Sequence, residues 1–122
     1  MYEVMIKHSF SGAHSLRDYP GDCSRVHGHN WVIEVTARTK EVDSLGLAID
    51  FKELKNYARD VISQFDHRNI NDIPPFDDVN PTAELLARYF YEEIDQRLRG
   101  HDVELAQVTV WENPYSGATY RP

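Results

Sequence analysis

Apolar and polar residues alternate over residues 2–14: Tyr2, Val4, Ile6 and Phe10 share one parity, and Glu3, Lys7, Ser9 and Ser11 oppose them. Period two predicts a half-buried strand. Residues 27–39 repeat the pattern, with Trp31, Ile33, Val35 and Ala37 on one parity and Asn30, Glu34, Thr36 and Arg38 on the other. Pro20-Gly21 marks a turn in the connection between them. The period then changes. Phe51, Leu54, Ala58, Val61, Ile62 and Phe65 recur at helical spacing. They follow Asp50-Phe51-Lys52-Glu53, an N-cap with an acidic residue at the third helical position, close to a capping box. A second helix is predicted from Asn80-Pro81, a cap followed by proline in the first helical position. Its stripe is Leu85, Leu86, Tyr89, Phe90, Ile94 and Leu98, and Gly100 ends it. Residues 103–112 return to alternation, with Ala106, Val108 and Val110 on the even parity. A short last strand is expected near 117–121, after Asn113-Pro114.

The order β-β-α-α-β-β, with neighbouring strands paired as antiparallel hairpins, predicts an α+β fold. A four-stranded sheet carries two helices on one face. Such a small sheet has exposed edges, which another subunit often covers, so an oligomer is expected. The 122 residues suit one domain, 1–122, and no linker or repeat divides them. The formal net charge of −7 argues against nucleic acid or an anionic membrane surface as partner. No window reaches the length of a membrane span, and no secretory pattern opens the chain, so a cytoplasmic location is expected. The single cysteine, Cys23, excludes an intrachain disulfide.

Parity also brings chemistry together. His27 and His29 are two apart, so they share the face of Trp31, Ile33 and Val35. His14 has the parity of Val4, Ile6 and Phe10. If the first two strands pair as a hairpin, three imidazoles meet at one end of the apolar face. Three neutral nitrogen donors with an open fourth position are what a catalytic zinc needs. Burying three imidazoles without a metal is hard to justify. Gly28, between two ligands, leaves room on the opposite side. His8 has no paired partner and reads as structural or exposed. His101, in the turn after Gly100, reads as solvated.

The motif Cys23-x-x-x-His27-Gly28-His29, preceded by Phe10-Ser11-Gly12-Ala13-His14, resembles the 6-pyruvoyl-tetrahydropterin synthase family. The three-residue gap after Cys23 is similar to its bacterial and archaeal branch, the 6-carboxytetrahydropterin synthases of queuosine biosynthesis. Further matches are Asp50-Phe51, Phe65-Asp66-His67-Arg68-Asn69-Ile70-Asn71, Pro81-Thr82-Ala83-Glu84 and Val110-Trp111-Glu112. They run in the family's order over nearly the whole chain. Where the family usually has Ser-Ala-Ala-His, this chain has Ser11-Gly12-Ala13-His14. The resemblance implies the tunnelling fold, assembled as a hexamer from two stacked trimeric rings, with sites at subunit interfaces. It implies zinc on His14, His27 and His29. It implies 7,8-dihydroneopterin triphosphate as substrate, with 6-carboxytetrahydropterin, acetaldehyde and triphosphate as products.

The residues fit that chemistry. A metal can bind the side-chain hydroxyls and act as Lewis acid and template. Cys23 is the candidate base for a carbon-bound proton, since a thiol becomes reactive beside a cation or metal. Asp66-His67 is the second candidate acid/base element, the carboxylate orienting the imidazole. The resemblance makes this pair the cysteine's working partner. Glu112 closes an apolar parity, and a pterin's two adjacent N–H donors match its carboxylate. The resemblance assigns it to the pterin ring, with Thr82 and Glu84 as further ring contacts. Helix capping explains Thr82 and Glu84 almost as well. Two other functions fit the same motifs: a pyruvoyl-forming synthase that only eliminates triphosphate, and a non-catalytic zinc-binding assembly module.

Overall fold

The computed structural model describes residues 1–122. Strand β1 (Tyr2–His14) pairs antiparallel with β2 (His27–Thr39), and β2 pairs antiparallel with β4 (Glu104–Asn113). Strand β5 (Ser116–Tyr120) closes the far edge against β4. The α+β class and the antiparallel hairpins are as the alternation predicts. The sheet, however, has five strands rather than four, in the order β3-β1-β2-β4-β5. The extra strand, β3, is only Arg68–Asn69, and it runs parallel to Gly12 and Ala13 on the outer edge of β1. Two residues carry no alternation, so no periodicity could announce them. No helix is long and apolar enough to cross a membrane.

Helices α1 (Phe51–Ile62) and α2 (Ala83–Leu98) pack against each other on one face of the sheet, α1 over β1 and α2 over β4 and β5. Asp50 caps α1 by accepting the Lys52 N–H at 2.8 Å. Leu54, Ala58, Val61 and Ile62 are buried, while Phe51, in the first turn, is exposed. Phe65 lies beyond the helix yet is fully buried, its ring 5.4 Å from Phe90 and 6.1 Å from Phe76 between centroids.

The second helix starts two residues later than Asn80-Pro81 predicts. The Asn80 side chain is engaged elsewhere: its Oδ1 accepts the Arg17 N–H and its Nδ2 donates to the Arg17 carbonyl, at 2.8 and 3.1 Å. The cap falls to Thr82, whose hydroxyl accepts the Leu85 N–H at 3.1 Å. Gly100, at a φ of +93°, ends the helix as expected.

Two irregularities correct the reading of β4. The β2–β4 register slips where Thr36 faces Gln107 and Ala37 faces Leu105, leaving Ala106 as the extra residue of a bulge. Leu105, not Ala106, therefore joins Val108 and Val110 in the core. A second slip against β5 leaves Glu112 unpaired between Trp111 and Asn113.

Candidate metal centre and active site

The β1–β2 register sets His14 opposite His27 and Gly12 opposite His29. Three imidazoles thus meet where the buried face of the hairpin ends. Their ring centroids stand 4.6–5.2 Å apart, and Trp31 lies 4.8 Å from His14 and 5.3 Å from His29 as the floor beneath them. Trp31 is fully buried and its indole N–H donates to the Gly12 carbonyl at 3.1 Å. A Cβ built on Gly28 would meet nothing, so the opposite side of the strand is open there, as the sequence implies.

Backbone carbonyls orient two of the rings. His14 Nδ1 donates to the Pro81 carbonyl at 2.8 Å, and His27 Nδ1 donates to the Arg25 carbonyl at 2.7 Å. A carbonyl oxygen only accepts, so each Nδ1 carries the proton and each Nε2 keeps a free lone pair. Sequence reasoning misses both carbonyls, because a backbone acceptor leaves no residue signature. Burial, the leading cause, holds the pKa values of His14 and His29 below the ordinary imidazole value of 6.5. Both rings are therefore held toward the neutral, metal-binding form. The Nε2 atoms of His14 and His29 are buried with no hydrogen-bond partner. An unpartnered buried nitrogen is costly. A metal resolves it: the ligand atoms of His14, His27 and His29 lie within 4.8 Å of one another. Three neutral imidazoles are a donor set suited to zinc, and the residues fit that ion.

Glu112 lies at this cluster. Its Oε1 is 3.3 Å from His14 Nε2 and 3.7 Å from His29 Nε2. The bulge that unpairs Glu112 from β5 frees it to reach there.

The acid/base candidates lie outside the imidazole cluster. Asp66 and His67 are bound to the outer edge of β1. Asp66 Oδ1 accepts the Ser11 N–H at 3.0 Å and lies 3.0 Å from His67 Nδ1. The His67 N–H donates to the Ser11 carbonyl at 2.6 Å. His67 takes a left-handed φ of +57°, which turns its ring outward, and its side chain is 81% exposed. The Ser11 N–H, first, and His67 hold the Asp66 carboxyl below its ordinary pKa of 3.8. An ionised Asp66 keeps the imidazole oriented. His67 and His29 line one cleft of about 490 Å³, together with Ala13, Gly28 and Asn30.

Cys23 sits exposed in a 3-10 turn, Asp22–Ser24, within the β1–β2 connection. Its carbonyl accepts the Leu16 N–H at 2.8 Å. Thr82 is the cap of α2, and Glu84 is an exposed first-turn residue. Thr82 directly follows Pro81, whose carbonyl orients His14. His8 is half-buried. His101 differs from its expected solvation: its Nε2 is 2.9 Å from the Tyr57 hydroxyl and 3.5 Å from Glu53 on α1.

Comparison with known proteins agrees with this geometry. The family model described as 6-pyruvoyl tetrahydropterin synthase matches residues 3–122. A 6-carboxy-5,6,7,8-tetrahydropterin synthase of Bacillus subtilis is 34% identical over 119 residues, covering 92% of this chain and 80% of the relative. A dihydroneopterin monophosphate aldolase of Pyrococcus furiosus is 33% identical over 109 residues, covering 89% and 88%. The structure of the Caenorhabditis elegans 6-pyruvoyl tetrahydropterin synthase superposes with a TM-score of 0.85 at 31% identity, covering 100% of this chain and 97% of that one. With its hairpin of three histidines in the tunnelling fold, the chain belongs to the 6-pyruvoyl tetrahydropterin synthase family.

Proposed function

We propose that the protein is a zinc-dependent 6-carboxytetrahydropterin synthase. It converts 7,8-dihydroneopterin triphosphate and water to 6-carboxy-5,6,7,8-tetrahydropterin, acetaldehyde and triphosphate in queuosine biosynthesis. One observation carries the reading: two tautomer-fixed imidazoles and a third turn bare nitrogens toward one point beside a carboxylate. Named 6-carboxytetrahydropterin synthases at comparable identity support the choice of product.

His14, His27 and His29 hold the metal. A metal bound there would supply Lewis-acid charge to polarise the substrate's side-chain oxygens. Glu112 accepts the paired N–H donors of the pterin ring. Thr82 and Glu84, at the start of α2, border the ring. The Cys23 thiolate removes a carbon-bound proton. His67, its proton held by Asp66, returns protons as the carbon–carbon bond breaks.

Asp66-His67 and Cys23 are exposed in a single chain, which supports a site completed where subunits meet. The outer edge of β1 supports the same assembly, a homohexamer built as a dimer of trimers. Beyond Gly12 and Ala13 this edge has no partner strand, and Tyr2 and Met5 along it are exposed.

The test is product identification by mass spectrometry on 7,8-dihydroneopterin triphosphate. Acetaldehyde with 6-carboxytetrahydropterin supports the reading. Loss of triphosphate with the carbon chain intact would assign the pyruvoyl-forming activity instead. Cleavage confined to a monophosphate substrate would assign an aldolase, an activity carried by a relative of similar identity.

A further inference from the structure

Cys23 is carried by the connection between β1 and β2, which leaves the hairpin after His14 and rejoins it at His27. The turn around Cys23 is knit within itself. The Arg25 N–H donates to the Asp22 carbonyl at 3.0 Å, and the Ser24 hydroxyl donates to the Gly21 carbonyl at 2.9 Å. One hydrogen bond joins this turn to the limb that leaves β1, from the Leu16 N–H to the Cys23 carbonyl at 2.8 Å. Where Leu16 stands therefore sets where the turn and its thiol stand.

Leu16 is held through both of its neighbours. Asn71 Oδ1 accepts the Ser15 N–H at 2.8 Å, and Asn71 Nδ2 donates to the Ser15 carbonyl at 3.0 Å. Asn80 grips Arg17 in the same way, at 2.8 and 3.1 Å. Each amide presents a carbonyl and an N–H side by side, as a neighbouring strand would. In an extended chain, successive residues turn their backbone polar groups to opposite edges. Clamping residues 15 and 17 on one edge thus aims the N–H of residue 16 at the other, where Cys23 lies. The Arg17 guanidinium secures the clamp, donating to the Val79 and Phe76 carbonyls at 3.1 and 2.8 Å. These bonds tie Leu16 to the segment that carries Asn71 and Asn80, residues 70–80.

We propose that Asn71 and Asn80 are positioning residues for Cys23, fixing through Ser15, Leu16 and Arg17 the place from which its thiol acts. This rests on the reading of Cys23 as the base. A base has to meet its proton within hydrogen-bond reach. A misplacement of about 1 Å costs on the order of 100-fold in rate. Loss of a clamp therefore falls on the chemical step rather than on binding.

The test compares zinc-loaded wild type with Asn71→Ala, Asn80→Ala and the two changes combined, on 7,8-dihydroneopterin triphosphate. Each single change should lower kcat by about 10–100-fold, with KM and zinc content unchanged. The combined change should lose little more, because both asparagines act through one amide. Hydrogen exchange followed by NMR supplies a readout independent of turnover. The Leu16 amide should exchange at least about tenfold faster in each variant, the scale of one or two lost hydrogen bonds. Its gain should exceed that of the β2 amides, which a general loss of stability would raise equally. Asn80→Asp keeps the acceptor for the Arg17 N–H and loses the donor to the Arg17 carbonyl. It should fall between wild type and Asn80→Ala, and it carries the test if Asn80→Ala does not fold. Unchanged kcat in the folded variants overturns the proposal. So does a fall in kcat without faster Leu16 exchange, or one matched by lost zinc. A wild type that leaves the substrate intact would instead overturn the reading of Cys23 as base, and Leu16 exchange would still decide whether the asparagines hold the turn.

Discussion

Replacing His14 with Phe tests whether the hairpin histidines bind the metal or merely fill the core. His14 is 1% exposed, so its ring is a packing element as well as a ligand. Phe keeps a planar ring against Trp31. It strands the Pro81 carbonyl, which costs about 1–3 kcal/mol when a buried acceptor loses its donor. It also removes the unpartnered Nε2, a penalty of similar size in the metal-free protein. The two changes oppose each other, so the metal-free stabilities should agree within about 2 kcal/mol. The metal-loaded forms should not agree. Zinc present at a thousandfold over its Kd adds about 4 kcal/mol to the wild type. For a chain of this length that raises Tm by roughly 10–20 °C. Scanning calorimetry with chelator and with excess zinc gives four melting temperatures. The wild type should show the full shift and His14→Phe little of it. An equal zinc-induced shift in both proteins would refute the role of His14 as ligand. A His14→Phe protein that melts far below the wild type in chelator would refute the compensation argued from the Pro81 contact.

Cys23→Ala should abolish most turnover while zinc content, measured by atomic absorption, stays at the wild-type level; unchanged turnover would remove Cys23 from the mechanism. Asp66 has a folded pKa below its ordinary value, so its contribution is fully present above pH 3.8 and is lost only as the pH falls through that lower value. The Ser11 amide resonance reports this directly, because its N–H donates to Asp66, and a midpoint above 3.8 would contradict the assignment. Phe65→Ala should cost about 3–5 kcal/mol by urea unfolding, since its ring packs on Phe10, Phe76, Tyr89 and Phe90. A loss under 1.5 kcal/mol, about half the lower limit, would show that the aromatic core closes over the gap.

The histidine site was largely legible in the sequence because strand parity is a strict rule. Once β1 and β2 pair, His14, His27 and His29 have to share a face, and the register places them at one end of it. The same rule misread β4, because a single bulge at Ala106 exchanges the two faces and leaves no mark in composition. Asn80 misled for another reason. Its amide serves equally well as a helix cap or as a two-point clamp on an extended backbone, and only the tertiary fold brings Arg17 within reach. Asn71 clamps Ser15 in the same way, at 2.8 and 3.0 Å. Together the two asparagines fix the chain leaving His14, a role that depends on neighbours 56 and 63 residues away in sequence. The Pro81 and Arg25 carbonyls that set the tautomers were equally out of view, because every residue has a carbonyl.

The proposed function requires that His14, His27 and His29 hold a zinc ion needed to cleave a pterin side chain. The most direct measurement is mass-spectrometric analysis of 7,8-dihydroneopterin triphosphate after incubation with protein stripped by chelator, and again after stoichiometric zinc is restored. The stripped protein should give no conversion, and 6-carboxytetrahydropterin with acetaldehyde should form once zinc is returned. Equal conversion by the stripped protein, or none by protein shown to be fully zinc-loaded, would contradict it.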